Sequence, residues 1–265
     1  MSVLGVSSYF LWTQKGKTVL PLVRGSGFLV AFRQIGCFYR YHVLSAAHVT
    51  CPVKYRHIYG DTIGLRAIGE RHISTKLLKP GTSGAVEASV DLEFAQSYLP
   101  NVDVVSLRCK DEGQVGELCL LPFELDFDVI KEGTELLFWG VTAEEERANP
   151  NDDGLRLKEA CLKGECRAAL VSLDYGTVVL ASLESPLGLS MCGGPVVRKD
   201  NGRCVGVIVA QALKNAPPSD PQVAPLYRDP WLDLSHNEAI HVRGKLDVAF
   251  VPVGEFYDPL RRCEM

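Results

Sequence analysis

Short apolar or alternating runs dominate this chain: "GFLVAF", "YRYHVLSAAHV", "VDVVSLRC", "ELLFWGV", "GTVVLASL", "RCVGVIVA" and "LDVAFVPV", separated by stretches that contain Gly, Pro, Asn and Asp. Runs of this length, rich in Val, Leu, Ile and Phe and broken this often, fit the strands of a barrel or sandwich better than βαβ units. No segment longer than about ten residues carries a clean stripe of period 3.6, and no internal repeat is present. At 265 residues the chain can form one large all-β domain or two small ones. Asp200-Asn201-Gly202, set between two apolar runs, signals a tight hairpin. Residues 79–90 and 143–158 are polar and turn-rich, and 212–238 is proline-rich with Tyr227 and Trp231; all three are expected to leave the barrel as loops.

Charge and cysteine usage narrow the class. A formal net charge of −4 gives no global attraction to nucleic acid or to an anionic membrane. No basic patch with interleaved aromatics is present, so nucleic acid is expected only indirectly, as part of a ribonucleoprotein. No Asp or Glu precedes Asp61, whereas Lys15, Lys17, Arg24, Arg33, Arg40, Lys54 and Arg56 do. An acid-free basic start is a property of organelle-targeting presequences, but "YFLW", "TVLPLV" and "GSGFLVAF" read as strands and leave little room for a removable peptide. No apolar run nears the roughly 18 residues of a membrane helix, and the start lacks the basic and apolar regions of a secretion signal. With nine cysteines, an odd number, the expectation is reduced thiols in an intracellular compartment, cytoplasmic or alternatively mitochondrial. Cys161 and Cys166 are too far apart for a CxxC knuckle and are expected as buried single thiols; His236 and His241 are expected at the surface. Neither metal nor cofactor is expected.

Three segments carry chemistry: "VLSAAHV" around His48, "DVVSL" from Asp103, and "SMCGGPVV" around Cys192. With "GSGFLV" upstream and "VGVIV" downstream, the chain from about Ser7 to its end resembles the chymotrypsin-like (trypsin-like, PA-clan) peptidase superfamily. The tone is nearer the intracellular high-temperature-requirement group than secreted trypsins, and a cysteine stands in the nucleophile position. The resemblance implies two six-stranded antiparallel Greek-key β-barrels, 1–120 carrying His48 and Asp103 and 121–265 carrying Cys192, with a short C-terminal helix after "LDVAFVPV". His48 would take the thiol proton of Cys192 and return it to the leaving amine, while Asp103 would accept the other ring N–H. Asp91 is the rival carboxylate, but it lacks the apolar strand that follows Asp103.

The same resemblance locates the rest of the site. The oxyanion hole would comprise the backbone N–H groups of Ser190 and Cys192. Active members have glycine where this chain has Ser190; the nearest, Gly188, comes two places early. Val49 follows His48 where secreted enzymes have a disulfide cysteine, and Met191 replaces the aspartate that captures a new N-terminus in their zymogens. Pro186 would floor the specificity pocket and Val209, Ala210 and Gln211 would wall it, which offers no charge and suits a small or apolar side chain. The 212–238 segment would leave from that wall, to pack on the barrel, bind a partner or cap the cleft as a lid. Two functions follow: a cysteine endopeptidase acting on peptide or protein substrates through His48, Asp103 and Cys192, or a weak or inactive pseudo-protease serving as a structural or adaptor subunit of a larger assembly such as an organellar ribonucleoprotein.

Overall fold

The structure, a computed structural model, describes residues 3–12, 18–33, 39–55, 68–94, 102–111, 113, 118, 120–145, 154–173, 176–211 and 248–262. Strands β1 (Val3–Trp12), β2 (Thr18–Arg33), β3 (Tyr39–Ala46), β4 (Ile73–Pro80), β5 (Val86–Phe94) and β6 (Val104–Cys109) close into one barrel. Strands β7 (Glu135–Glu145), β8 (Leu155–Leu173), β9 (Gly176–Leu183), β10 (Pro195–Arg198), β11 (Cys204–Gln211) and β12 (Val248–Pro252) close into a second. The orders β1-β2-β3-β6-β5-β4 and β10-β11-β12-β9-β8-β7 place the third strand of each barrel beside the sixth, the Greek-key return. A single helical turn, α1 (Ala47–Thr50), follows β3, and α2 (Val253–Arg262) follows β12. The expected pair of all-β barrels with a short C-terminal helix is therefore the observed architecture.

Period-two burial explains why these residues form strands. In the first barrel Leu4, Val6, Leu29, Val43, Leu77 and Leu107 point inward; in the second Leu136, Phe138, Val179, Val196, Ile208 and Phe250 do. The opposite faces are apolar too where the barrels meet. There Phe28, Leu44 and Leu78 pack with Leu157, Leu180, Val207 and Val251, and with Phe256 of α2. Strands buried on both faces read as the continuous apolar runs seen in the sequence.

The segment 120–130 joins the barrels and is stitched to both. The Phe123 N–H donates to the Leu29 carbonyl at 2.8 Å, and its ring meets Phe28 edge-on at 5.5 Å. One residue later the Glu124 carbonyl accepts from Cys204 N–H, and Asp126 N–H donates back to the Cys204 carbonyl, both at 2.8 Å. This strap fixes the cleft between the barrels, where the site lies.

Three local expectations need correction. Residues 79–90 are largely strand, as are the two ends of 143–158: β4 runs to Pro80 and β5 starts at Val86, while β7 and β8 pair as far as Glu145 with Leu155, and 146–153 lie outside the described residues. The alternation was present as buried Leu155 and Leu157 between exposed Arg156 and Lys158, masked by the polar outer face. Cys166 is buried but Cys161 is exposed. Their odd separation puts them on opposite faces of β8. Residues 212–238, with Tyr227, Trp231 and His236, and His241 beyond them, lie outside the described residues. Among the described residues no helix is long and apolar enough to cross a membrane.

Candidate active site

His48 stands on α1, the turn that ends β3. Ala46 and Ala47 before it are fully buried, so this strand end packs tightly against the first barrel's core and projects the imidazole into the cleft. Asp103 immediately precedes β6, the neighbour of β3, and the Ala47 N–H donates to the Asp103 main-chain carbonyl at 3.3 Å. Its carboxylate then takes two further bonds: Oδ1 accepts the His48 main-chain N–H at 2.9 Å, and Oδ2 pairs with ring Nδ1 at 2.5 Å. Both side chains are buried. Asp91, the rival, lies exposed on β5, and its carbonyl accepts from Lys110 N–H.

The other face of the imidazole meets Cys192. With Nδ1 committed to Asp103, Nε2 is left for the thiol, which hydrogen-bonds the ring. Burial alone would push the His48 pKa down. The Asp103 carboxylate first, and Cys192 after it, outweigh that and hold it well above its ordinary 6.5. Cys192 is half-buried and packs against the interiors of both barrels.

The turn that carries Cys192 is pinned from both sides. Ser26 N–H donates to the Cys192 carbonyl at 2.7 Å from the first barrel, and Gly193 N–H donates to the Ile208 carbonyl at 2.7 Å within the second. Gly193 has φ +90°, open to glycine at little cost, and a Cβ there would collide with the Ser26 carbonyl and the Ser45 hydroxyl. Met191 is buried against Gly140, so an apolar side chain fills the position of the resemblance's charged residue.

Ser190 departs from the strained turn that the resemblance implies. Leu189–Met191 forms a right-handed 3-10 turn, with Met191 N–H bonded to the Gly188 carbonyl at 3.0 Å. In such a turn each carbonyl points toward the amide three residues on. The Leu189 carbonyl is thereby directed at the Cys192 amide, and Ser190 N–H points back along the turn. The amides of Ser190 and Cys192 do not converge on one point in this arrangement. Serine fits it because the conformation is right-handed.

The remaining expected pocket residues are spread out. Pro186 is exposed in the segment after β9. Val209 and Ala210 are buried in β11, beside a register shift between Ile208 and Ala210, and belong to the core between the barrels. Gln211 ends that strand opposite Val248.

Two residues near the site were not anticipated. Tyr55 sets its ring edge-on to His48 at 6.2 Å; burial, and then Asp103, raise its phenol pKa above the ordinary value. Ser26 bonds the turn that carries Cys192 through side chain as well as main chain. Its signal was a serine between glycines inside a strand: a Cβ at Gly25 would meet Val49 at 2.6 Å and the Cys192 carbonyl at 2.8 Å, so β2 runs hard against the turn.

No protein-family model matches the chain, and no curated protein matches it. Solved structures do. The Rv3671c protease from M. tuberculosis in its active form superposes with a TM-score of 0.51 at 15% identity, over 98% of this chain and 80% of that one. The HtrA-type protease AlgW, solved with a decapeptide, superposes with a TM-score of 0.53 at 10% identity, over 99% of this chain and 64% of that one. These likenesses agree with the strand order in assigning a chymotrypsin-like peptidase fold.

Proposed function

We propose that the chain is a cysteine endopeptidase that cleaves peptide bonds through His48, Asp103 and Cys192. One observation carries the reading: a single buried imidazole is bonded to a carboxylate on Nδ1 and to a thiol on its other side, across the cleft between two barrels. A thiolate is the attacking form of cysteine, and a neighbouring imidazolium stabilises it. Cys192 Sγ would add to the scissile carbonyl carbon. The imidazolium would then give its Nε2 proton to the leaving amine, leaving an acyl-thioester. Water, losing a proton to Nε2, would hydrolyse the thioester and restore the thiol. Asp103 keeps the ring in one tautomer and orientation throughout.

The 3-10 turn at Leu189–Met191 supports a second reading, a weak or inactive protease fold kept as a subunit of a larger assembly, because the expected oxyanion amides do not converge. Iodoacetamide and a peptide aldehyde separate the two. The endopeptidase reading expects Cys192 to react faster than every other cysteine, and His48→Ala to abolish that preference. Equal reactivity of Cys192 and the remaining thiols, unchanged by His48→Ala, would leave the structural role.

A further inference from the structure

We propose that Ser26 is a positioning residue for the reaction, the part of the first barrel that fixes the nucleophile turn of the second. The inference rests on the endopeptidase reading of His48, Asp103 and Cys192. Ser26 lies on β2, fully buried, and its hydroxyl makes two bonds across the barrel boundary: it donates to the Ser190 carbonyl at 2.7 Å and accepts the Val141 N–H of β7 at 2.8 Å. Its main-chain N–H holds the Cys192 carbonyl at 2.7 Å, and its own carbonyl accepts the Ser45 hydroxyl at 2.7 Å. One residue therefore grips the carbonyls on both sides of Met191, and Ser45 in turn anchors it to β3.

The bonding pattern divides the turn into fixed and movable parts. The Ser190–Met191 peptide is held at both ends, its carbonyl by Ser26 and its N–H by Gly188. The Cys192–Gly193 peptide is likewise held at both ends, by Ser26 and Ile208. The Leu189–Ser190 peptide precedes these anchors. Rotation of that one peptide swings Ser190 N–H toward the side of Cys192 N–H while Sγ and the Cys192 amide stay where Ser26 has put them. Without the hydroxyl, the Ser190–Met191 peptide loses its carbonyl anchor and the frame for the oxyanion site loosens. The serine hydroxyl is needed for this because a bare β2 backbone supplies only the bond to the Cys192 carbonyl. Val141 is adjacent to Gly140, against which Met191 packs, so both walls of the Met191 socket are tied to the same oxygen.

Ser26→Ala in the full chain tests this, with Ser26→Cys as the variant that keeps the volume and weakens the two hydroxyl bonds should the alanine form fail to fold. Amide exchange at Met191 and Val141 is expected to speed by about tenfold or more while Leu137 on β7 keeps its protection. Peptide-aldehyde affinity, which needs the oxyanion site, is expected to fall by about 10- to 100-fold, with the iodoacetamide rate at Cys192 unchanged because alkylation builds no oxyanion. Unchanged exchange at Met191 overturns the proposal, as does a joint fall of aldehyde affinity and alkylation rate with loss of protection throughout both barrels. If wild-type Cys192 prefers neither probe, the endopeptidase reading fails by itself, and exchange at Met191 still decides whether Ser26 holds the turn.

Discussion

Asp103 grips His48 at two points, Oδ1 on the main-chain N–H at 2.9 Å and Oδ2 on ring Nδ1 at 2.5 Å, so one carboxylate sets both the helical turn and the imidazole it carries. Asp103→Asn removes the charge that keeps the ring protonated. The alkaline limb of peptide turnover, where the leaving amine loses its proton donor, is expected to move to lower pH, with kcat down by about 10- to 100-fold. This is less than the roughly 10⁴ seen when a serine triad loses its carboxylate, because a thiol needs less help to ionise. A pH–rate profile checks it; an unmoved alkaline limb would detach Asp103 from the imidazolium.

The same pair makes stability depend on pH. The folded His48 pKa lies above its ordinary 6.5, since Asp103 and Cys192 outweigh burial. Its contribution is therefore fully present below about pH 6.5 and is lost as pH rises through the folded value. As pH rises above about 6.5, thermal melting of the wild type is expected to lose ground to Asp103→Asn. A constant difference across that range would contradict the assignment.

Two left-handed glycines separate strain from contact. Gly193 and Gly202 have φ of +90° and +72°. Alanine at Gly202, in the Asp200-Asn201-Gly202 hairpin, meets nothing within 4 Å, and is expected to destabilise by about 1–2 kcal/mol, the backbone cost alone. Alanine at Gly193 adds a collision with the Ser26 carbonyl, for a total of about 2–5 kcal/mol. Urea unfolding of the two variants gives the comparison, and Gly193→Ala is expected to slow Cys192 labelling as well.

The barrels were legible because their strands are apolar on one or both faces and the breakers between them are strong. The segments that bring His48, Asp103 and Cys192 together were legible for a local reason: small residues precede the histidine, an apolar strand follows the aspartate, and glycines follow the cysteine. Ser26 was hidden because its partners, Ser190 and Val141, are distant in sequence and offer only backbone atoms, which leave no side-chain signature. The 3-10 turn was hidden for a related reason. "GLSMC" has no helix-forming pattern, and the turn follows from the Gly188, Ser26 and Ile208 anchors around it.

Asp126 tests the strap between the barrels. Its carboxylate, almost fully buried, accepts Asn201 Nδ2 at 3.0 Å and Asp128 N–H at 2.9 Å, and pairs with Arg198 at 3.0 Å. Asp126→Ala leaves these donors without an acceptor and is expected to destabilise by about 2–3 kcal/mol, read as a lower urea midpoint. A midpoint equal to the wild type would show that the strap is held by Phe123 and Cys204 alone.

Ser190→Gly bears most directly on whether the site turns over. The right-handed 3-10 turn suits a residue with a Cβ, and the turned peptide that would aim Ser190 N–H into the oxyanion site does not. Glycine removes the side-chain penalty of the left-handed region, about 1–2 kcal/mol. If turnover is limited by the fraction of molecules with that peptide turned, kcat is expected to rise about tenfold, because about 1.4 kcal/mol corresponds to a factor of ten. KM should hold, since the substitution adds no new contact, and the Ser190 carbonyl bond to Ser26 belongs to the backbone and survives it. Steady-state kinetics of Ser190→Gly beside the wild type measure this. An unchanged kcat would mean that the 3-10 turn is no barrier, and a lower kcat would mean that the glycine loosens the turn more than it frees the amide.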